Sequence, residues 1–205
     1  MAKVKLTKGE LKRQRDALRQ YERYLPTLLL KKQQLQLEIV QQHSFLTEKK
    51  HLRDRKIEAA RHWSGLLNEP DIDLKAWLRP TELIKGSRNV AGVQLPVFVR
   101  LDFAEAQYDL FALPLWVDFA IEALRGLVSL DKEIKVIEEG MRILKHELRI
   151  STQRVNLFEK VKIPEARENI RLIKIYIGDQ MANAVGRSKI AKRKISEMEL
   201  EEVFA

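Results

Sequence analysis

The sequence predicts a mainly α fold: a long antiparallel two-helix coiled coil of the N- and C-terminal helices, with a small central domain containing a short β-hairpin. Three observations predict it. Near the start, Leu11, Leu18, Leu25, Ile39 and Leu46 keep a seven-residue step, joined by Tyr21, Leu28 and Leu35. In the last third, Ile134, Met141, Leu148 and Val155 keep one heptad position while Ile137, Leu144 and Phe158 keep the other. Between these seams lies a stretch of different texture that holds four of the six prolines. A 3.5-residue repeat lines apolar side chains along one narrow stripe, which is stable only when buried against another helix. Two stripes on one chain are satisfied by folding back into a hairpin of helices.

The first helix is expected over residues 7–67. Thr7 is a candidate N-cap with Glu10 three residues on, the capping-box spacing. The helix should end before Asn68-Glu69-Pro70. Pro26 falls inside it, and proline removes an intrahelical hydrogen bond and favours a kink. Lys32 and Gln42 stand where the seam asks for hydrophobes, and such interruptions set register at some cost in stability.

Residues 68–114 form the central domain. Val90, Val93, Leu95, Val97, Val99 and Leu101 shift the period toward two, so residues 83–103 read as a β-hairpin. Gly86-Ser87 or Ala91-Gly92 supplies its turn. An isolated hairpin is marginal in water and must pack on something. Either it is a docking or regulatory element through Asn89, Val90, Gly92, Val93 and Pro96, or it is a flap covering Trp77 or Trp116. Trp63, Trp77 and Trp116 read as core residues anchoring this region.

The second helix is expected over residues 115–196, interrupted near 160–166 because Pro164 disfavours helical geometry at Ile163. Ile170, Ile173, Ile177 and Ala184 continue its seam, and residues 197–205 form an acidic, frayed tail.

One third of the 205 residues are charged, as expected of solvated faces of long helices, and the formal net charge is +9. Residues 1–25 hold eight basic and three acidic side chains, net +5. Arg187, Lys189, Lys192, Arg193 and Lys194 meet no acid until Glu197. Residues 66–125 carry nine acids against six bases, net −3. In an antiparallel pair both basic ends share one tip. Lys8, Lys12, Arg13, Arg187, Lys189, Lys192 and Arg193 are therefore the candidate contact residues of that tip. The chain contains no apolar run near the ~18 residues that span a bilayer, and its start lacks the apolar core of a signal peptide. Zero cysteines exclude disulfides and thiolate metal sites.

Catalytic signatures are missing: there is no P-loop, GxGxxG, HExxH or GxSxG. His43 and His51 are eight apart, about two helical turns, too far to share a metal. No catalytic residue, cofactor or metal ligand is assigned, and the chain is not expected to be an enzyme.

Arg154-Val155-Asn156-Leu157-Phe158-Glu159-Lys160-Val161-Lys162-Ile163-Pro164 resembles the "RRVNALE…IP" signature of the D subunit of V-type and A-type ATPases and ATP synthases. Leu28-Leu29-Leu30-Lys31-Lys32-Gln33-Gln34-Leu35 with Glu38 is similar to that family's "LLKxKRDxL…E" stretch, with Gln33-Gln34 in place of Arg-Asp. Asn89-Val90-Ala91-Gly92-Val93-Gln94-Leu95-Pro96 resembles its "NVxGVxxP" hairpin segment. The three matches run in family order along the whole chain.

The resemblance implies a non-catalytic central-stalk (rotor shaft) component of a rotary V/A-type ATPase. It implies partners too: the catalytic and regulatory A and B subunits of the ATPase ring, the small F subunit of the stalk, and a funnel-like subunit joining the stalk to the membrane ring. It further implies a cytoplasmic site, peripheral at the membrane as part of the complex, with no direct membrane insertion and no nucleic acid. The competing expectation is a free-standing basic coiled coil that binds nucleic acid or an anionic membrane surface, for which steep salt dependence would be diagnostic.

Overall fold

A computed structural model describes residues 4–68, 74–105 and 113–204, with side chains described to Met198 except that of Asn68. The fold is mainly helical. Helix α1 spans Lys8–Arg61, strands β1 and β2 span Pro80–Val90 and Val93–Phe103, and helices α2 and α3 span Trp116–Leu157 and Ile163–Phe204. A 3-10 turn, Ser64–Asn68, follows α1. The chain clusters into two compact units: residues 1–29 with 153–205, and residues 30–152.

Thr7 opens α1, its Oγ1 accepting from the Glu10 N–H at 3.2 Å while its carbonyl accepts from the Leu11 N–H. The helix continues through Pro26. Pro164 likewise does not break the second helical run. The turn before it widens into a five-residue π-helix, Phe158–Lys162, and the Ile163 N–H donates to the Phe158 carbonyl. This i→i−5 bonding rearranges the carbonyls that face a proline ring and a missing N–H, so the chain stays helical. The expected tail is also different, because α3 runs on to Phe204.

In the unit of residues 30–152, α1 and α2 pair antiparallel. Lys49 bonds Glu133, Lys50 bonds Glu138, and farther along Trp63 meets Phe119 edge to face at 6.2 Å. Contacts step up one helix as they step down the other. Leu46 packs with Leu130, Ile134, Ile137 and Met141. Leu35 and Leu144, both fully buried, pack with Val93 and Leu95 of β2. A third cluster sets Leu74, Val117, Ala120 and Ile121 among Trp63, Trp77 and Trp116. The tryptophans thus act as core, as their sequence context suggests.

The hairpin is antiparallel and turns at Ala91-Gly92, not at Gly86-Ser87. Both turn residues have positive φ, 51° and 80°, which matches the right-handed twist of the strands in a two-residue loop. The register shifts between Ile84 and Lys85, so Val99 is the extra residue of a bulge and stands exposed.

In the other unit, Val155, Ile163, Ala166 and Ile173 are buried. Tyr21 stacks on Phe158 with ring centroids 5.4 Å apart, and the Arg167 guanidinium donates to Glu22 at 2.8 Å.

Candidate functional site

The basic side chains singled out from sequence all belong to one unit, and every one is exposed. Lys8, Lys12 and Arg13 occupy the first turns of α1, where Arg13 lies 3.8 Å from Glu10. Arg187, Lys189, Lys192 and Arg193 stand on α3, where Arg193 lies 3.5 Å from Glu197. They are not brought face to face. Counting along both helices from the Tyr21–Phe158 and Glu22–Arg167 contacts puts Lys8 level with about residues 171–181. Arg187 therefore lies roughly 10–25 Å beyond Lys8 along α3 at 1.5 Å per residue. Burial agrees: Ile173 is fully buried, Ile177 half-buried, and every residue from Gly178 to Met198 exposed.

That projecting part of α3 keeps the seam of the paired part. Met181, Ala184, Val185, Ala191, Ile195 and Met198 continue the stripe of Ile170, Ile173 and Ile177. At 100° per residue, Arg187 and Lys194 flank the stripe on one side and Lys189 on the other, Lys192 falls at its edge beside Met181 and Val185, and Arg193 lies on the opposite face. Chemically, this is an uncovered apolar ridge bordered by cations. It fits a concave apolar surface with acidic or polar margins.

The hairpin residues divide between the helix pair and solvent. Val93 is buried and Val90 half-buried, both packed toward Leu35 and Leu144. Pro96 is half-buried, close to Gly140 of α2. Asn89 and Gly92 are exposed, but the Asn89 Oδ1 accepts the Gly92 N–H at 2.9 Å and so closes the turn. Nor does the hairpin tip cover Trp77 or Trp116, which pack in a separate cluster. The tip lies over the α1–α2 seam because its alternating Val93 and Leu95 offer an apolar face that the seam completes.

Three polar attachments hold it there, and of their side chains only Glu38 falls in a family-like stretch. The Arg88 guanidinium donates to the Glu38 carboxylate of α1, whose Oε1 also accepts from Gln42 at 2.9 Å. The Lys85 ammonium donates to Glu139 of α2 at 2.8 Å, which holds the Glu139 carboxyl below its usual range. At the base, Arg125 of α2 donates to the carbonyls of Trp77 and Ala104 and lies 5.2 Å above the Phe103 ring. Besides that resemblance, the available signal was spacing. Glu38 stands three residues after Leu35 and four before Gln42, on the buried stripe itself.

The perturbed groups do not assemble acid–base machinery. Glu139 is lowered by Lys85, and Glu168 is lowered by Arg171, whose guanidinium is raised in turn. These are ion pairs, opposite in sense to a carboxyl raised to serve as a proton donor. Among the described residues no cluster of three His, Asp or Glu side chains converges as a cation site. His43, His51, His62 and His146 are all exposed.

Residues 10–193 match the family of ATP synthase D subunits. The chain is 44% identical over 197 residues to the V-type ATP synthase D subunit of Borreliella burgdorferi, covering 95% of this chain and 96% of that protein. It is 33% identical over 198 residues to the protein of the same name in Chlamydia caviae, covering 96% and 95%. In Chlamydia trachomatis serovar L2 the figure is 30% over 200 residues, covering 96% and 98%. These matches lend nothing to a free-standing nucleic-acid or membrane binder.

Proposed function

The chain belongs to the family of ATP synthase D subunits, and from that premise we infer that it is the central-stalk component of a rotary V/A-type ATPase or ATP synthase. Its work is mechanical: it transmits torque between the ATP-processing ring and the membrane rotor and performs no bond chemistry itself. The single observation that carries this reading is the α3 ridge, an apolar heptad stripe with cationic borders that runs past the start of α1. A free helix of this length is not stable on propensity alone and needs its apolar stripe covered.

We propose that the ring of catalytic and regulatory A and B subunits encloses this ridge together with Lys8, Lys12 and Arg13. Exposed cations contribute little per contact and are screened by salt. A shaft that must exchange neighbours as it turns is served by such replaceable contacts. The small F subunit of the stalk and the funnel-like subunit are the further partners in this reading, engaging residues 30–152. The complex would hold the chain at the cytoplasmic face of the membrane. No helix among the described residues is long and apolar enough to cross a membrane.

The test is joint neutralisation of Arg187, Lys189, Lys192 and Arg193 to glutamine in the assembled complex. Ion pumping per ATP hydrolysed should fall several-fold, while circular dichroism of the isolated chain stays unchanged. Undiminished coupling would reject the ring-enclosed assignment. Retention of the chain by duplex DNA with steep salt dependence would favour the competing class.

A further inference from the structure

Glu38 is out of place beside its seam. It flanks the seam position of Ile39, a place where coiled coils usually carry a solvated charge, yet its side chain is only 11% exposed beside Leu35 and Ile39. A buried carboxylate is tolerated when its charge is paired and its lone pairs are filled. Glu38 meets both conditions, but only one partner, Gln42, comes from its own helix. The charge partner, Arg88, arrives from the hairpin. Three residues earlier on the same strand, Lys85 pairs with Glu139 of α2. The hairpin therefore grips α1 with one cation and α2 with the other, while Val93 and Leu95 fill the groove beside Leu35 and Leu144.

Apolar seams that repeat every seven residues do not fix register by themselves. Sliding one helix by a heptad brings leucine opposite leucine again. A single buried polar residue removes that degeneracy, because only one register offers it a partner.

We propose that the Glu38–Arg88 pair is a register key: the hairpin, docked across both helices, fixes the axial position of α1 against α2 and resists slip between them. Sliding α1 would drag Glu38 away from Arg88 and leave it buried and unpaired, while Lys85 held on Glu139 keeps the hairpin tied to α2. That this key serves torque transmission rests on the central-stalk reading; the key itself does not.

The chain has no cysteine, so pairs introduced at the exposed positions Ser44 and Lys145 report only the α1–α2 spacing. Spin labels there, in the full chain, should give one narrow distance distribution. In the double variant E38L/R88L the unfolding midpoint should hold or rise, because apolar packing replaces an ion pair. At the same time the distribution should gain a second population, from slip by one heptad or about 10 Å. Arg88→Ala alone should lower the midpoint, and the exchange Glu38→Arg with Arg88→Glu should restore both midpoint and narrow distribution. A single unchanged distribution in E38L/R88L overturns the register key. If that double variant fails to fold, the Lys85→Gln/Glu139→Gln pair at half-exposed positions repeats the measurement: broadening supports the key and an unaltered width rejects it. In the assembled ATPase, slipped variants should hydrolyse ATP with less ion transport per turn. Full coupling despite a split distribution would leave the key in place and remove its mechanical role.

Discussion

Pro96 of β2 lies against Gly140 of α2: a methyl group built on Gly140 would stand 3.9 Å from both the Pro96 Cδ and the Pro96 carbonyl oxygen. The helix face is bare where the hairpin crosses it. That distance is ordinary van der Waals contact, so the site accepts one carbon and no more.

Gly140→Ala should therefore stabilise the chain by about 1 kcal/mol, the gain in helix propensity. Gly140→Leu should do the reverse, lifting the hairpin and costing about 1–3 kcal/mol through overpacking. Chemical denaturation of the two variants separates these signs, and a destabilised alanine variant would show that the gap is narrower than this.

The hairpin turn offers a second check. Ala91 has φ of 51°, a region that costs a non-glycine residue roughly 1 kcal/mol, whereas Gly92 at 80° is suited to it. Ala91→Gly should be neutral or stabilising by up to about 1 kcal/mol. Gly92→Ala should destabilise by about 1–2 kcal/mol. Equal effects from both substitutions would mean that the turn has another geometry.

In the unit of residues 1–29 and 153–205, the Tyr21–Phe158 stack spans the two helices at the π-helical turn. Aromatic pairs contribute about 0.5–1.5 kcal/mol beyond their buried area. Tyr21→Ala should lower stability by about 2–3 kcal/mol and raise hydrogen exchange in residues 158–163. Tyr21→Phe should be nearly silent, since ring stacking and not the hydroxyl makes the contact.

Acid should release the Lys85–Glu139 grip. Lys85 lowers the Glu139 carboxyl below the value it has in the unfolded chain, so the folded state binds that proton less readily. The stabilisation is present above the ordinary carboxylate range, about pH 4.3, and is lost as pH falls through the lower folded value. Exchange of hairpin amides should rise below about pH 4, and Glu139→Gln should flatten that rise. An identical acid profile in the glutamine variant would assign the transition to other carboxylates.

What the sequence determined by itself was whatever repeats: the helices, their apolar stripes, the strand alternation and the family signatures. Leu35, Ile134 and Leu144 could be placed in the seam because a heptad is a local rule read from spacing alone. The Ala91-Gly92 turn was one of two options, and only pairing chose it. Tertiary structure decided the rest. Pro164 disfavours helical geometry at Ile163, yet the chain stays helical there through a widened π-turn at 158–162, with Val155, Ile163 and Ala166 buried on either side of it. Lys8 and Arg187 share a unit but not a level, because the offset between two helices is set by the contacts along them and not by where each chain segment begins. Glu38 was legible as part of a family-like stretch, but its role shows only when Arg88, fifty residues away, is brought against it. A charge in a seam is legible only once its partner is in place, and that partner belongs to a different element.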